Sequence, residues 1–417
     1  MRGLTAAQRG GEMAELIINN IGKLYRPREG EVEVFENASV RIEGGVFSDI
    51  SERPLTPATD AAKVLDAGGM VAIPGIVDPH THAVFAGDRT DELLMKLKGL
   101  SYLEILSSGG GIAKTLRETR AASREYLKEL LRERIGEFMR WGVTTLEVKS
   151  GYGMDRDTEV KQLQAALEVE TLSDVVTTFL GAHIIPPEYS DKREEYVSFL
   201  TDVMIPYVAE RGLARFVDVF CDRGVYTLEE AEEILRAGKR HGLLLKIHSD
   251  ELENLGATRM AAELGATSAD HLLLSEEEDL QAMAEHGTVP VLLPGTVFTT
   301  FLPHYPDARR MLDAGLPVAL ATDFNPNCPL QNPFFVAQLA VFKMRMMPED
   351  VLKALTVNAA KAIAEPQRGM VEEGLPADLV LLEVKSFTEA LYRLGYDPIR
   401  VVVKGGKVVR RWVNGAR

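Results

Sequence analysis

The stretch DPHTHAVFAGDRTDE, residues 78–92, sets two imidazoles one residue apart and a guanidinium seven positions beyond the second. Alternate side chains of an extended chain point to the same side, so His80 and His82 can converge on one point. That pair begins a metal site, and the remaining ligands must come from elsewhere. The chain holds eight histidines; three more stand out as His183 in GAHIIPPE, His248 in KIHSDE and His271 in ADHLLL, with a later carboxylate, Asp323, in ATDFNPN. Three neutral imidazoles and a carboxylate, taken as His80, His82, His248 and Asp323, suit a borderline divalent ion such as zinc, or iron. With an open coordination position such an ion lowers the pKa of bound water toward ~7. Asp323 would accept that water's proton. Glu251, three residues after His248, would shuttle protons between water and a leaving nitrogen. The plainer reading of Glu251 is a solvated charge in acidic SDELEN. His271 and His183 are free to polarise a carbonyl or hydrogen-bond a substrate ring; His183 alone is equally readable as structural. His241, His286 and His304 are read as structural or surface residues, His241 at a helix C-terminus.

These residues need a frame. Apolar strand candidates recur along the middle of the chain: MVAIPGIV, GVTTLEVK, VVTTFLGAH, FVDVFCD, GLLLKIHSDE, ATSADHLLL, TVPVLLP and PVALATD. Most are separated by amphipathic helical stretches such as 124–141 and 227–242, the second opened by a Thr227–Glu230 capping box. Near-continuous apolar runs suit parallel strands buried on both faces, and eight of them with helical crossovers make a (β/α)8 barrel. Such a barrel keeps its chemistry at the C-terminal ends of its strands, which is where the five singled-out histidines and Asp323 fall. Lys149 and Tyr152 in KSGYG, Asp222 in CDRG and the run LPGT mark the other strand ends.

Both chain ends read differently, as short strands broken by Gly, Asn and Asp, with a Gly-Gly hairpin signal in IRVVVKGGKVVRRWV. The expected organisation is α/β: a (β/α)8 barrel over 71–366 and a small β-sandwich built from 13–70 and 367–417, behind a disordered arm at 1–12. The first twelve residues have no apolar h-region and are not read as a secretory signal. Hydrophobic residues at 46% and charged ones at 26% are ordinary for a soluble globular protein. A net charge of −15 disfavours nucleic acid and membrane surfaces as partners. Two cysteines, Cys221 and Cys328, are too few for a disulfide framework and fit a reducing cytosol.

The order H-x-H, H-x-x-E, H, D on an alternating α/β chain resembles the amidohydrolase superfamily and, within it, the imidazolonepropionase family. The resemblance runs from about residue 13 to the end and rests on PGIVDPHTHAVFAGDRTDE, EVKSGYGMD, GAHIIPPEY, KIHSDE and ATDFNPN, with GLSYLEILSSGGGIAKTLRETR between the first two strands. It implies hydrolytic opening of 4-imidazolone-5-propanoate to N-formimidoyl-L-glutamate in histidine degradation, one zinc or iron ion per subunit, a cytoplasmic homodimer and the composite β domain. It puts the metal ligands on His80, His82, His248 and Asp323. It puts substrate contacts on Arg89, Tyr152, His183, Glu251, His271 and Asn325. Arg89 fits, because a guanidinium takes the substrate's carboxylate with two parallel donors; the plainer reading is a surface arginine paired with Asp88 or Asp91. Tyr152 would add a hydroxyl on a tight loop allowed by Gly151 and Gly153. Lys149 is read as an unmodified loop residue, consistent with one metal rather than two. In the implied reaction His271 steadies the developing oxyanion. One departure concerns NPNCPLQNP: many relatives have N-P-G then Ser or Thr, whereas here Asn327 and Cys328 follow. Asn327 can replace the missing contacts; Cys328 is expected neither to bind well nor to act as a nucleophile. A cytosine- or guanine-type aminohydrolase would share the ligands but release ammonia, and its neutral base needs no carboxylate anchor such as Arg89. A non-catalytic scaffold on the same fold would have lost ligands that are present here.

Overall fold

In the computed structural model, which describes residues 15–100, 104 and 109–411, the two chain ends build one sheet and the middle builds another. The arm at 1–12 and most of SYLEILSS lie outside the described residues. The N-terminal part supplies β1 (Leu16–Pro27), β2 (Val32–Glu43), β3 (Val46–Ser51), β4 (Lys63–Asp66) and β5 (Val71–Pro74). The middle supplies β6 (Ile76–Asp78), β7 (Val143–Lys149), β8 (Asp174–Ala182), β9 (Phe216–Cys221), β10 (Leu244–Ser249), β11 (Ser268–His271), β12 (Val289–Leu292) and β13 (Ala319–Leu320). The C-terminal part adds β14 (Leu379–Leu382), β15 (Ile399–Lys404) and β16 (Lys407–Arg411).

The strands β6 to β13 pair in chain order, all parallel, with helices in the connections. The sheet closes on itself just past its strands, where Thr81 bridges Phe324 and His82 N donates to Phe324 O at 2.9 Å. Asp323 N donates to His80 O at 3.1 Å across the same seam. The result is the expected (β/α)8 barrel. Its helices start where the sequence signals them: Thr227 and Glu230 form the reciprocal capping box of helix Leu228–Arg240. Among the described residues no helix is long and apolar enough to cross a membrane.

The other sheet runs β16-β15-β14-β5-β1-β2-β3, with β4 beside β1. It is mostly antiparallel, with β4 and β5 parallel to β1. Its far edge is drawn back over the C-terminal strands, because Phe47 N donates to Leu375 O and Ala377 N to Gly45 O. The two layers enclose a core of their own, including Ile18, Val40, Phe47, Leu381 and Val403. This is the small sandwich built from both termini.

MVAIPGIV, read as one strand, is two. The first half pairs with β1 and β14, the second with β7. The chain changes sheets at Gly75, whose N–H bonds Asp378 O while the next amide bonds Gly142 O. A Cβ at Gly75 would sit 2.3 Å from Thr144 Oγ1 and 2.8 Å from Asp378 Cβ, so the crossing needs glycine. The expected division at 70/71 therefore falls one strand early, and we place it at Gly75.

Candidate active site

The seam that closes the barrel also assembles the site. His80 and His82 follow β6, Asp323 follows β13, and the backbone bonds between these two segments hold their side chains on one side of the barrel mouth. His248 arrives from β10, four strands away in the sheet order. His80 Nε2 lies 3.3 Å from His82 Nε2, and His82 Nε2 lies 3.5 Å from His248 Nε2. Asp323 Oδ1 is 3.5 Å from His80 Nε2 and 3.4 Å from His82 Nε2. Ligand atoms about 2.0–2.1 Å from a tetrahedral ion stand about 3.3–3.4 Å from one another, so this donor set fits a small divalent ion. All four side chains are buried. Burial holds His80 and His82 well below the usual imidazole range, leaving neutral rings ready to ligate. His80, His271 and Asp323 form a second, overlapping group of converging ligand atoms.

A layer of buried carboxylates beneath aims these rings. Asp270 Oδ2 sits 2.6 Å from His80 Nδ1, and Asp218 Oδ1 sits 3.1 Å from His248 Nδ1. A carboxylate on Nδ1 fixes the tautomer that leaves Nε2 as donor to a metal. Lys149 ends β7 in this layer and is fully buried, with Nζ 2.9 Å from Glu147, 2.7 Å from Asp218 and 3.6 Å from Asp270. The reading of Lys149 as a loop residue is thus corrected: the strand extends through it, and its ammonium neutralises the carboxylates instead of meeting solvent. Those carboxylates push the ammonium's pKa up against the opposing effect of burial. Lys246, also buried, lies 3.5 Å from Glu147 and 3.8 Å from Asp270.

Two of the strand-end loops are pinned by a carboxylate accepting several backbone donors. Asp222 takes the backbone N–H groups of Glu251, Leu252 and Glu253, each at 2.9 Å. This fixes Glu251, whose Oε2 lies 3.6 Å from His271 Nδ1. Glu251 is half-buried, and burial together with the Asp222 charge pushes its carboxyl up to about 7. Burial holds the His271 ring down at about 4. Thr296, in the LPGT run, donates its hydroxyl to Asp323 Oδ2. Asp250, His271 and Asp323 all have positive φ, at 56°, 83° and 50°. Non-glycine residues in that region are uncommon and concentrate at functional sites.

The loop bearing Tyr152 is tied down by Glu159, which accepts from the amides of Gly151, Gly153 and Met154 at 3.1, 2.8 and 2.8 Å. Gly151 has φ +109°, and a Cβ there would meet Leu180 O at 2.9 Å. The Tyr152 ring then stands 5.9 Å from His82 and 5.3 Å from His183, and His183 stacks on His82 at 5.2 Å. His183 Nδ1 meets Gly151 O at 3.0 Å, and burial pushes the ring down to about 3. Arg89 is buried and donates Nε to Thr115 Oγ1 at 3.0 Å. Among the described residues its acidic neighbours are engaged elsewhere: Asp88 accepts from Thr90 N and Asp91 pairs with Lys114.

The loop after Asp323 differs from the expectation in detail. Asn325 donates to Asp323 O at 2.8 Å and Asp323 Oδ1 at 3.0 Å, and accepts from Asn327 N and Cys328 N at 2.7 and 3.0 Å. Its amide group is saturated by this turn, so it braces Asp323 instead of offering a free donor. The Asn327 carbonyl oxygen accepts from Lys96, a residue the sequence reading passed over. Cys328 is fully buried, and burial pushes its thiol up to about 12. Arg134 was also passed over; it donates to Ala83 O and Phe85 O, both at 2.7 Å, and stacks 3.7 Å over the Phe85 ring. The signal available for Arg134 was only a charge on an otherwise buried helix face.

Residues 93–410 match the Amidohydrolase family. The chain is 45% identical over 411 residues to an imidazolonepropionase of Geobacillus thermodenitrificans, covering 96% of this chain and 97% of that one. It is 44% identical over 411 residues to an imidazolonepropionase of Shouchella clausii, covering 95% and 91%. Among solved structures it is similar to an N-isopropylammelide isopropylaminohydrolase from Burkholderia multivorans, with TM-score 0.72, 20% identity and coverage of 96% and 99%. It is also similar to an atrazine chlorohydrolase mutant from Arthrobacter aurescens complexed with zinc and atraton, with TM-score 0.70, 15% identity and 95% coverage of each chain. At these identities the solved structures speak for the fold.

Proposed function

The chain belongs to the imidazolonepropionases of the amidohydrolase family, and from that premise we infer how its site opens the ring. It is a hydrolase of a cyclic amide: 4-imidazolone-5-propanoate and water give N-formimidoyl-L-glutamate, a step of histidine degradation. The observation that carries this is a near-full-length match to named imidazolonepropionases at 40–45% identity.

His80, His82, His248 and Asp323 would hold one divalent ion, zinc or iron. Bound there, such an ion acidifies water and polarises the ring carbonyl. Asp323, buried and braced by Thr296 and Asn325, accepts the proton of the attacking water. His271 faces the carbonyl oxygen and stabilises the charge developing on it. The ring C–N bond breaks, the carbonyl carbon keeps the water's oxygen as a carboxylate, and the nitrogen takes a proton from Glu251. Glu251 suits this exchange because its carboxyl is poised near neutrality. Tyr152 and His183 flank the ring, and Arg89 takes the propionate, having no carboxylate of its own among the described residues. Asn327 adds a further contact to the substrate from the loop after Asp323. We also propose a homodimer acting in the cytoplasm, with neither nucleic acid nor membrane as partner.

The test is the ultraviolet absorbance decay of freshly prepared imidazolone propionate with purified protein and with Arg89→Ala. The reading requires substrate loss with formimidoyl-glutamate appearing, and a much weaker variant. Ammonia release from cytosine or guanine, with imidazolone propionate untouched, would replace it with an aminohydrolase.

A further inference from the structure

The helix Thr90–Leu97 is turned inside out. Its leucines Leu93, Leu94 and Leu97 are 50, 62 and 65% exposed, while Arg89 and Glu92 are buried and Lys96 is half-buried. Positions 89, 92 and 96 are spaced i, i+3, i+7, which is one face of a helix, and that face looks toward the barrel mouth. A surface helix ordinarily does the reverse, so the inward charges need something polar to meet.

Glu92 has its partner, accepting from Gly111 N at 2.6 Å. Arg89 and Lys96 do not: among the described residues neither has a carboxylate within salt-bridge distance. Lys96 Nζ donates to the neutral carbonyl oxygen of Asn327, in the loop braced by Asn325 behind Asp323. The two cations share one space. Burial pushes the Lys96 ammonium down, the Glu92 carboxylate one turn away opposes this, and the Arg89 charge adds to the lowering. Arg89 and Lys96 stand on one helix face about two turns apart, with the neutral groups of Thr115 and Asn327 as their partners.

We propose that Lys96 is a second cationic contact for the substrate's carboxylate tail, beside Arg89, with Asn327 as the resting partner its ammonium leaves when substrate arrives. This rests on the imidazolonepropionase reading of the site. The substrate offers a ring at the histidine cluster and one carboxylate three bonds away. A partly dehydrated ammonium held by a neutral amide gains by exchanging it for an anion. The lysine thus sets specificity for an acidic tail and takes no part in bond making.

The experiment compares imidazolone propionate with its methyl ester, whose tail is neutral, using the metal-loaded protein, Lys96→Met and Lys96→Arg. Met keeps the aliphatic stem, and if it does not fold Lys96→Gln is read in the same way. Loss of one charge-assisted hydrogen bond should cost about tenfold in kcat/KM for the acid, mostly through KM. The ester should lose far less, and Lys96→Arg should recover most of the preference for acid. Equal losses for acid and ester, or none for either, would overturn the proposal while leaving the activity assignment intact. A wild-type protein that opens neither substrate would overturn both.

Discussion

His80 Nδ1 lies 2.6 Å from Asp270 Oδ2, and both side chains have no solvent exposure. The pair is one of two carboxylate–imidazole contacts beneath the metal ligands, Asp218 and His248 being the other. Removing the anionic partner of a ligating histidine typically costs 10–100-fold in metal affinity. Asp270→Asn is therefore expected to bind zinc about that much more weakly, read by competition with a chelating dye, with circular dichroism unchanged. Unaltered affinity would mean that the carboxylate layer merely fills the barrel.

Glu251 is predicted to set the basic limb of the rate profile. Its carboxyl is raised to about 7, so the protonated form that donates to the leaving nitrogen is present below that pH and is lost as pH rises through it. A bound divalent cation would move this limb lower, never higher. Glu251→Gln should remove the limb and lower kcat by about 10²–10⁴-fold, the usual scale for a proton-transfer residue. A variant with full kcat and the same limb would move the proton shuttle elsewhere.

Gly151 is predicted to be irreplaceable by alanine. At φ +109° a Cβ meets Leu180 O at 2.9 Å and His183 Nδ1 at 3.1 Å. Gly151→Ala should lose more than about 1 kcal/mol of stability and raise KM, because Tyr152 and His183 are displaced together. Thermal melting and steady-state kinetics on one preparation check both parts.

Most of the constellation was legible because parallel barrel strands bury both faces and so write long apolar runs, whose ends can be read directly. The charges missed in the carboxylate layer have a common cause. Asp218 in FVDVFC, Glu147 in VTTLEVK and Lys149 beside it lie inside strands, where hydropathy alone assigns a charge to the nearest loop. A lone charge within such a run was the available signal, since it can be buried only if paired. Lys96 was masked by the leucines around it, which imply a helix face opposite to the one that turns inward. The crossing at Gly75 was hidden because β5 and β6 are both buried and apolar, and only pairing tells them apart. The saturation of Asn325 comes from Asp323 and from the backbone amides of Asn327 and Cys328, contacts that sequence does not display.

Both cysteines are predicted to be inert in the folded protein. Cys221 and Cys328 are fully buried, and burial pushes each thiol up to about 12. The reactive thiolate is then almost absent at neutral pH. A chromogenic disulfide reagent should titrate no thiol in the native protein and two after denaturation. Rapid native labelling of Cys328 with loss of activity would place it in the reaction after all.

The central claim is that water adds to the ring carbonyl and the ring opens without loss of nitrogen. It is tested most directly by turnover in ¹⁸O-labelled water, with product mass and free ammonia measured together. The account predicts N-formimidoyl-glutamate carrying one labelled oxygen in its newly formed carboxylate, and no ammonia. Release of ammonia with the ring intact, or an unlabelled product, would contradict it.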